Sequence, residues 1–176
     1  DPINPVVFEI KVKKNILKDK LNGIIPPLVT PVNKKGGVCE ESVKNLINFV
    51  RPFSAALMPT LSSGEGWVLS EKQFTDMIKY TIKYANGLPV FAGVEYKTTK
   101  EVIEKALIAK NLGADAIVIT TPFGKNITQK EIFEHFKNIK DEVDLPIFIY
   151  NEKAISGNDI SFTTMKKICA LGNIIG

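Results

Sequence analysis

Six short apolar runs rich in β-branched residues begin about thirty residues apart, the spacing of one strand, one helix and their connections. They are GIIPPLVTP (23–31), SAALMPT (54–60), LPVFAGV (88–94), ADAIVIT (114–120), LPIFIY (145–150) and the short NIIG (173–176). Between them lie segments of helical period. SVKNLINFV (42–50) places Val43, Leu46, Ile47 and Val50 on one face. SEKQFTDMIKYTIKY (70–84) opens with Ser70 and Gln73, a capping-box pair. TTKEVIEKALIAKNLG (98–113) has an N-terminal Thr, early acidic residues and a closing Gly113. TQKEIFEHFKNIKDEV (128–143) and SFTTMKKICALG (161–172) complete the set. Each strand is thus expected to be followed by one helix.

Strands that are apolar nearly throughout are buried on both faces, which fits a parallel sheet in an α/β protein. The turn after the first run, TPVNKKGG, has neither a G-x-G-x-x-G nor a P-loop pattern, which argues against a doubly wound nucleotide-binding sheet. The favoured fold is a (β/α)8 TIM barrel, of which residues 21–176 cover about five βα units and the start of strand six. Residues 1–20 are expected to form an N-terminal arm. Such a barrel takes about 250 residues, so the closing GNIIG (172–176) reads as a strand cut short, and the opened barrel is expected to expose apolar edges on strands one and six. Residue 1 is Asp rather than Met, consistent with a trimmed or processed start.

Composition narrows the functional classes. The 176 residues are 44% hydrophobic and 24% charged, which suits a globular domain with a core rather than disorder. Cys39 and Cys169 stand apart without a C-x-x-C or Cys/His cluster, so they read as free thiols in a reducing, cytoplasmic setting, with neither a disulfide framework nor zinc. The net charge of +4 comes from scattered lysines and the run KVKKNILKDK (11–20). That run lacks interleaved aromatics and any nucleic-acid module, so a solvated arm is favoured over a nucleic-acid or acidic-membrane contact. No apolar stretch approaches the eighteen or so residues of a membrane span, and no signal-peptide core opens the chain.

In a barrel, chemistry gathers at the C-terminal ends of the strands. Those positions are VTP (29–31), TLSSGEGW (60–67), AGVEYKTT (92–99), TTPFGKN (120–126) and IYNEKAISGN (149–158). TLSSGEGW is the most informative: its hydroxyls and backbone N–H groups can cradle a carboxylate or other anion, or it is a Ser-Gly turn with an incidental Glu. Tyr150 projects into the mouth, either as a phenol that passes protons or as a buried tyrosine with a satisfied hydroxyl. His135, the single histidine, lies on a helix away from the strand ends and reads as exposed or packing against a neighbouring helix. Glu95, Lys97, Lys125, Glu152 and Lys153 are loop charges, expected to be solvated. No acidic cluster has ligand spacing, so neither a metal nor another cofactor is implied.

Together these motifs resemble the dihydrodipicolinate synthase / N-acetylneuraminate lyase family of Schiff-base aldolases and lyases, from about Leu21 to Gly176. GIIPPLVTPVNKKGGVCEES is similar to the family's opening strand and loop, and LSSGEG to its G-T-T-G-E or G-S-T-G-E signature. LPVFAGV, GADAIVITTPF and LPIFIYN match its third, fourth and fifth strands. The resemblance implies a (β/α)8 barrel, a homo-oligomer, usually a tetramer, and a lyase or aldolase that joins a lysine to pyruvate or a related 2-oxo acid as an imine. It assigns Ser62, Ser63 and Gly64 to the substrate carboxylate, the two hydroxyls also to proton relay, and Tyr150 to imine formation and proton transfer, with Glu65 retained from the signature.

The departures are specific. Phe123 and Gly124 stand where the family's second relay tyrosine falls in P-Y-Y; Lys153 replaces the proline of Y-N-x-P; Ile155 lies near the position of the synthases' arginine; both signature threonines are serine. The expected imine lysine falls two residues after Gly176, and Lys166 and Lys167, on the preceding helix, do not fill its role. The resemblance therefore leaves two readings: a Schiff-base enzyme inactive without that lysine, or a non-catalytic 2-oxo-acid-binding or scaffold protein.

Overall fold

The structure, a computed structural model, describes residues 21–176; the arm expected over residues 1–20 lies outside them. Three of the predicted runs form a parallel ladder: β1 (Phe91–Gly93), β2 (Ala116–Ile119) and β3 (Ile147–Ile149). Phe91 pairs with Ala116 and Gly93 with Val118, then Ile117 with Ile147 and Ile119 with Ile149. The outer runs join through single parallel bridges: Ile24 to Ser54, Pro27 to Met58, Leu57 to Val90 and Ile147 to Ile174. Each run therefore lies beside its sequence neighbour, with no point at which the order reverses. A doubly wound sheet requires such a reversal; a barrel wall does not.

The wall is curved. Phe91 of β1 and Phe148 of β3 bring their rings to 4.8 Å centroid to centroid, although β2 lies between them and strands two apart in a flat sheet are about 9.5 Å apart. They meet on the inner face, over Ala116 and Val118. Ala56, Met58, Tyr150 and Ile175 join that inner cluster. The alternate residues Ala92, Val94, Ile117, Ile119 and Ile147 face outward into the helices.

Four long helices cover that outer side: α1 (Glu40–Val50), α2 (Glu71–Tyr84), α3 (Thr99–Leu112) and α4 (Gln129–Val143). Their start signals are local. Ser70 with Gln73, Thr98 with Glu101 and Thr128 with Glu131 each form a reciprocal capping box, satisfying N–H groups that the first helical turn leaves open. Gly113 closes α3 at φ 98°, a left-handed geometry that glycine adopts without a Cβ penalty. Phe74, Met77, Ile78 and Thr81 form the buried stripe of α2.

One expectation of element order changes. Two helices, not one, follow β3: the single-turn α5 (Lys153–Ser156) and α6 (Phe162–Cys169). The Glu152 side chain accepts from the Ala154 N–H at 2.9 Å, starting α5 within the loop, and Gly157 ends it at φ 85°. Cys39 and Cys169 are free thiols. Among the described residues no helix is long and apolar enough to cross a membrane.

Candidate active site at the strand ends

The chain leaving the second run does not enter its helix directly. Thr60 sits at φ 61°, an uncommon backbone for a β-branched residue. Its buried hydroxyl holds the turn, its one hydrogen lying between the Gly93 carbonyl at 2.9 Å and that of its neighbour Pro59 at 2.7 Å. Strain of this kind costs about 1–3 kcal/mol and collects at functional sites. Two short 3-10 turns follow, Ser62–Gly64 and Gly66–Val68, joined by Glu65 in the left-handed region. LSSGEG is thus a compact double turn over the strand ends.

Neighbouring strands lock it in place. Thr30, from VTP, donates its hydroxyl to the Gly64 carbonyl at 2.7 Å. The Tyr96 hydroxyl donates to the Gly66 carbonyl at 3.3 Å, and burial lifts its pKa to about 12, so it stays a donor. A Cβ on Gly64 would stand 2.7 Å from the Leu28 carbonyl oxygen, and one on Gly93 2.6 Å from the Leu61 nitrogen. Both contacts are with backbone that cannot swing aside. Gly93→Ala is accordingly expected to destabilise the protein by about 1–3 kcal/mol, read as a lower denaturation midpoint at unchanged m-value.

The turn opens onto a cavity of about 220 Å³ lined by Ser62, Ser63, Leu61, Met58, Phe148 and Tyr150, with Pro27, Val118 and Ile149. The volume is below the range that drug-sized ligands occupy, so it suits a small molecule. Its walls are apolar apart from the two serines and the tyrosine. Tyr150 is carried there by the end of β3, where its N–H donates to the Ile119 carbonyl at 2.8 Å. Ser62, Ser63 and Tyr150, far apart in sequence, therefore line one cavity, and Gly64 supports it from the same turn.

Other candidates separate. His135 is buried, not exposed. Its Nε2 meets the Thr120 carbonyl at 3.1 Å and its Nδ1 the Thr99 hydroxyl at 2.9 Å. The carbonyl can only accept, so Nε2 carries the hydrogen. Burial pushes its pKa down to about 4, leaving a neutral ring that ties α4 to the end of β2 and the start of α3. Lys97, Lys125 and Lys153 are exposed, as expected for loop charges. Phe123 lies outside the cavity, in a groove with Lys97, Lys130 and His135. The loops after β2 and β3 are knitted together: Thr121 donates to the Ser156 hydroxyl at 2.6 Å, and Asn158 donates to the Pro122 and Gly124 carbonyls at 2.8 and 2.9 Å.

Glu95 corrects the expectation of a solvated loop charge. Its side chain is fully buried, both carboxylate oxygens lack a hydrogen-bond partner, and burial raises its pKa to about 7. Sequence reading missed it because a lone Glu in a polar loop looks solvated. The signal available was parity, since Glu95 falls two residues after Gly93 and four after Phe91, both of which face inward. Thr30 and Thr60 were also missed, because their partners lie 34 and 33 residues away.

The chain's similarities to known proteins agree on one family. The sequence profile of the Dihydrodipicolinate synthetase family matches residues 20–176. The 4-hydroxy-tetrahydrodipicolinate synthase of Bradyrhizobium diazoefficiens is 37% identical over 161 residues, covering 90% of this chain and 54% of the relative. The crystal structure of the chloride-inhibited dihydrodipicolinate synthase of Acinetobacter baumannii, complexed with pyruvate, is 34% identical with a TM-score of 0.82, over 88% of this chain and 54% of that one. A catalytic lysine mutant of Ruminococcus gnavus sialic acid aldolase is 27% identical with a TM-score of 0.81, over 90% and 53%. The chain spans about half the length of the curated relatives it matches.

Proposed function

Since the chain belongs to the dihydrodipicolinate synthetase family, we propose that this protein is a Schiff-base lyase or aldolase acting on pyruvate or a related 2-oxo acid. The supporting observation is the meeting of Ser62, Ser63 and Tyr150 in one small cavity at the C-terminal ends of a parallel barrel wall. In this reading the two serines and the turn's backbone take the substrate carboxylate, leaving the 2-oxo carbon toward Tyr150. A lysine amine adds to that carbon, and the phenol passes a proton to the departing hydroxyl so that water leaves and an imine forms. The imine then withdraws electrons as a proton leaves the adjacent carbon, and the resulting enamine makes or breaks the carbon–carbon bond.

The imine lysine is expected two residues past Gly176, on the continuation of strand six, and the 176 residues alone are expected to be inactive. Lys166 lies on α6 and Lys167 beside it, outside the cavity. The working assembly in this reading is a homo-oligomer in the cytoplasm, as in the family the sequence resembles. Phe123 and Gly124 at the place of the family's second relay tyrosine, and Ile155 near that of the synthases' arginine, weaken the case for the lysine-pathway synthase itself and leave the second substrate open. They also favour a second reading, a 2-oxo-acid-binding protein without turnover.

The test uses the protein expressed from its whole reading frame, incubated with pyruvate and borohydride. A stable adduct on the strand-six lysine is expected. Pyruvate binding without an adduct selects the non-catalytic reading, and neither binding nor adduct removes both.

A further inference from the structure

The most unusual group in the molecule is a carboxyl with nothing bonded to it. Glu95 is fully buried and neither oxygen has a hydrogen-bond partner, an arrangement that is costly for a charged carboxylate. Its position is set by the register of the wall. Gly93 pairs with Val118 and Val118 with Phe148, and the ladder continues through bonds from the Val94 N–H to the Val118 carbonyl and the Tyr150 N–H to the Ile119 carbonyl. Two residues farther along, one tier therefore holds Glu95, Thr120 and Tyr150. The bridge of Leu57 to Val90 carries the same tier to Ser62.

Glu95 has the inward parity of Phe91 and Gly93, yet it does not line the cavity, which Ser62 and Ser63 cover. The carboxyl is therefore buried beside the start of the double turn, near the Ser62 backbone, and is not part of the cavity wall. The Ser62 backbone N–H is close enough to favour its charged form, though it does not close a hydrogen bond. Among the described residues, titratable groups on the surrounding elements are Tyr150 at the end of β3, the exposed Glu65 in the turn, and Tyr96 and the exposed Lys97 on the same strand end. The end of β2 carries only Thr120 and Thr121, and α2 packs Phe74 against Tyr96.

We propose that Glu95 is a positioning residue of the anion site: its buried carboxyl shares a tier with Ser62 and Tyr150, and a 2-oxo acid carboxylate binding to the Ser62–Ser63 turn draws a proton onto it. This inference rests on the 2-oxo acid reading above. Two carboxylates brought to one strand end, one of them buried, repel more strongly than in water, so the bound state favours protonated Glu95. A pKa already lifted to about 7 by burial places the uptake at neutral pH. The step is a proton taken from solvent onto Oε1 or Oε2, with no covalent change.

Calorimetry of pyruvate binding to the whole-reading-frame protein, in buffers of different ionisation enthalpy, measures the protons taken up. At pH 7 the parent protein is expected to take up about half a proton more per pyruvate than Glu95→Gln. Its affinity should weaken by up to about tenfold from pH 7 to 8, while that of Glu95→Gln changes less. In the parent protein at pH 8, infrared difference spectra should show a protonated-carboxyl stretch appearing with pyruvate, a readout that needs no variant. Binding with equal proton uptake in both proteins, or without that band, overturns the role of Glu95 and leaves the 2-oxo acid reading standing. Absence of pyruvate binding at every pH overturns both.

Discussion

Replacing Tyr150 by Phe is expected to slow imine formation by about 10²–10⁴-fold, the range that a positioned acid–base group contributes, while pyruvate affinity changes only a few-fold. The substitution is conservative for everything except the proton. The ring packs in the inner cluster beside Phe148 and Met58, and the backbone bond to Ile119 does not involve the side chain. The proposed carboxylate cradle belongs to a different strand end, so binding should survive. The measurement is the single-turnover rate of borohydride-trapped adduct in the whole-reading-frame protein, set beside its thermal midpoint. A merely structural tyrosine would show the reverse, with a lowered midpoint and a normal trapping rate.

Glu95→Gln is expected to make the protein more stable at alkaline pH by up to about 3 kcal/mol. The sign follows from where the proton sits. An unperturbed glutamate releases its proton near 4.5, whereas the buried Glu95 holds its proton up to about 7. The folded state therefore binds the proton more tightly than the unfolded chain. Below about pH 4.5 both states are neutral at this position, and glutamate and glutamine should be equivalent. Between 4.5 and 7 the unfolded chain ionises freely while the folded one resists, so the parent protein loses stability relative to the variant. Above 7 the difference is constant. Denaturant titrations at pH 4, 6 and 8 trace the curve, and parallel stabilities across that range would mean that Glu95 is solvated or paired in solution.

Both effects concern one tier of the barrel wall, and its members differ in how visible they were beforehand. Ser62, Ser63 and Gly64 stood in a recognisable turn, and Tyr150 closed a recognisable strand. Ser62, Ser63 and Tyr150 line one cavity; their chemical roles are what the trapping experiments decide. Glu95, in AGVEYKTT, looked no different from Lys97 two residues later, yet one is sealed in and the other exposed. Likewise His135 lay on a helix whose polar face seemed available to it, and the structure turns it inward between Thr99 and the Thr120 carbonyl.

The division has a physical basis. Periodicity and capping act over three or four residues, so the order of strands and long helices, the Ser70, Thr98 and Thr128 starts and the Gly113 stop were legible in the chain itself, whereas the single-turn α5 was not. The near-continuous apolar strands also settled that the sheet is parallel and covered by helices, because only burial on both faces accounts for them. What no local pattern contains is curvature. Bending the wall until Phe91 meets Phe148 over β2 converts inward parity into proximity, and proximity across strands decides which hydroxyls and carboxyls share a cavity. It also buries Glu95, removing water from a group two residues before the exposed Lys97, and that desolvation, a property of the tertiary structure alone, moves its proton to neutral pH.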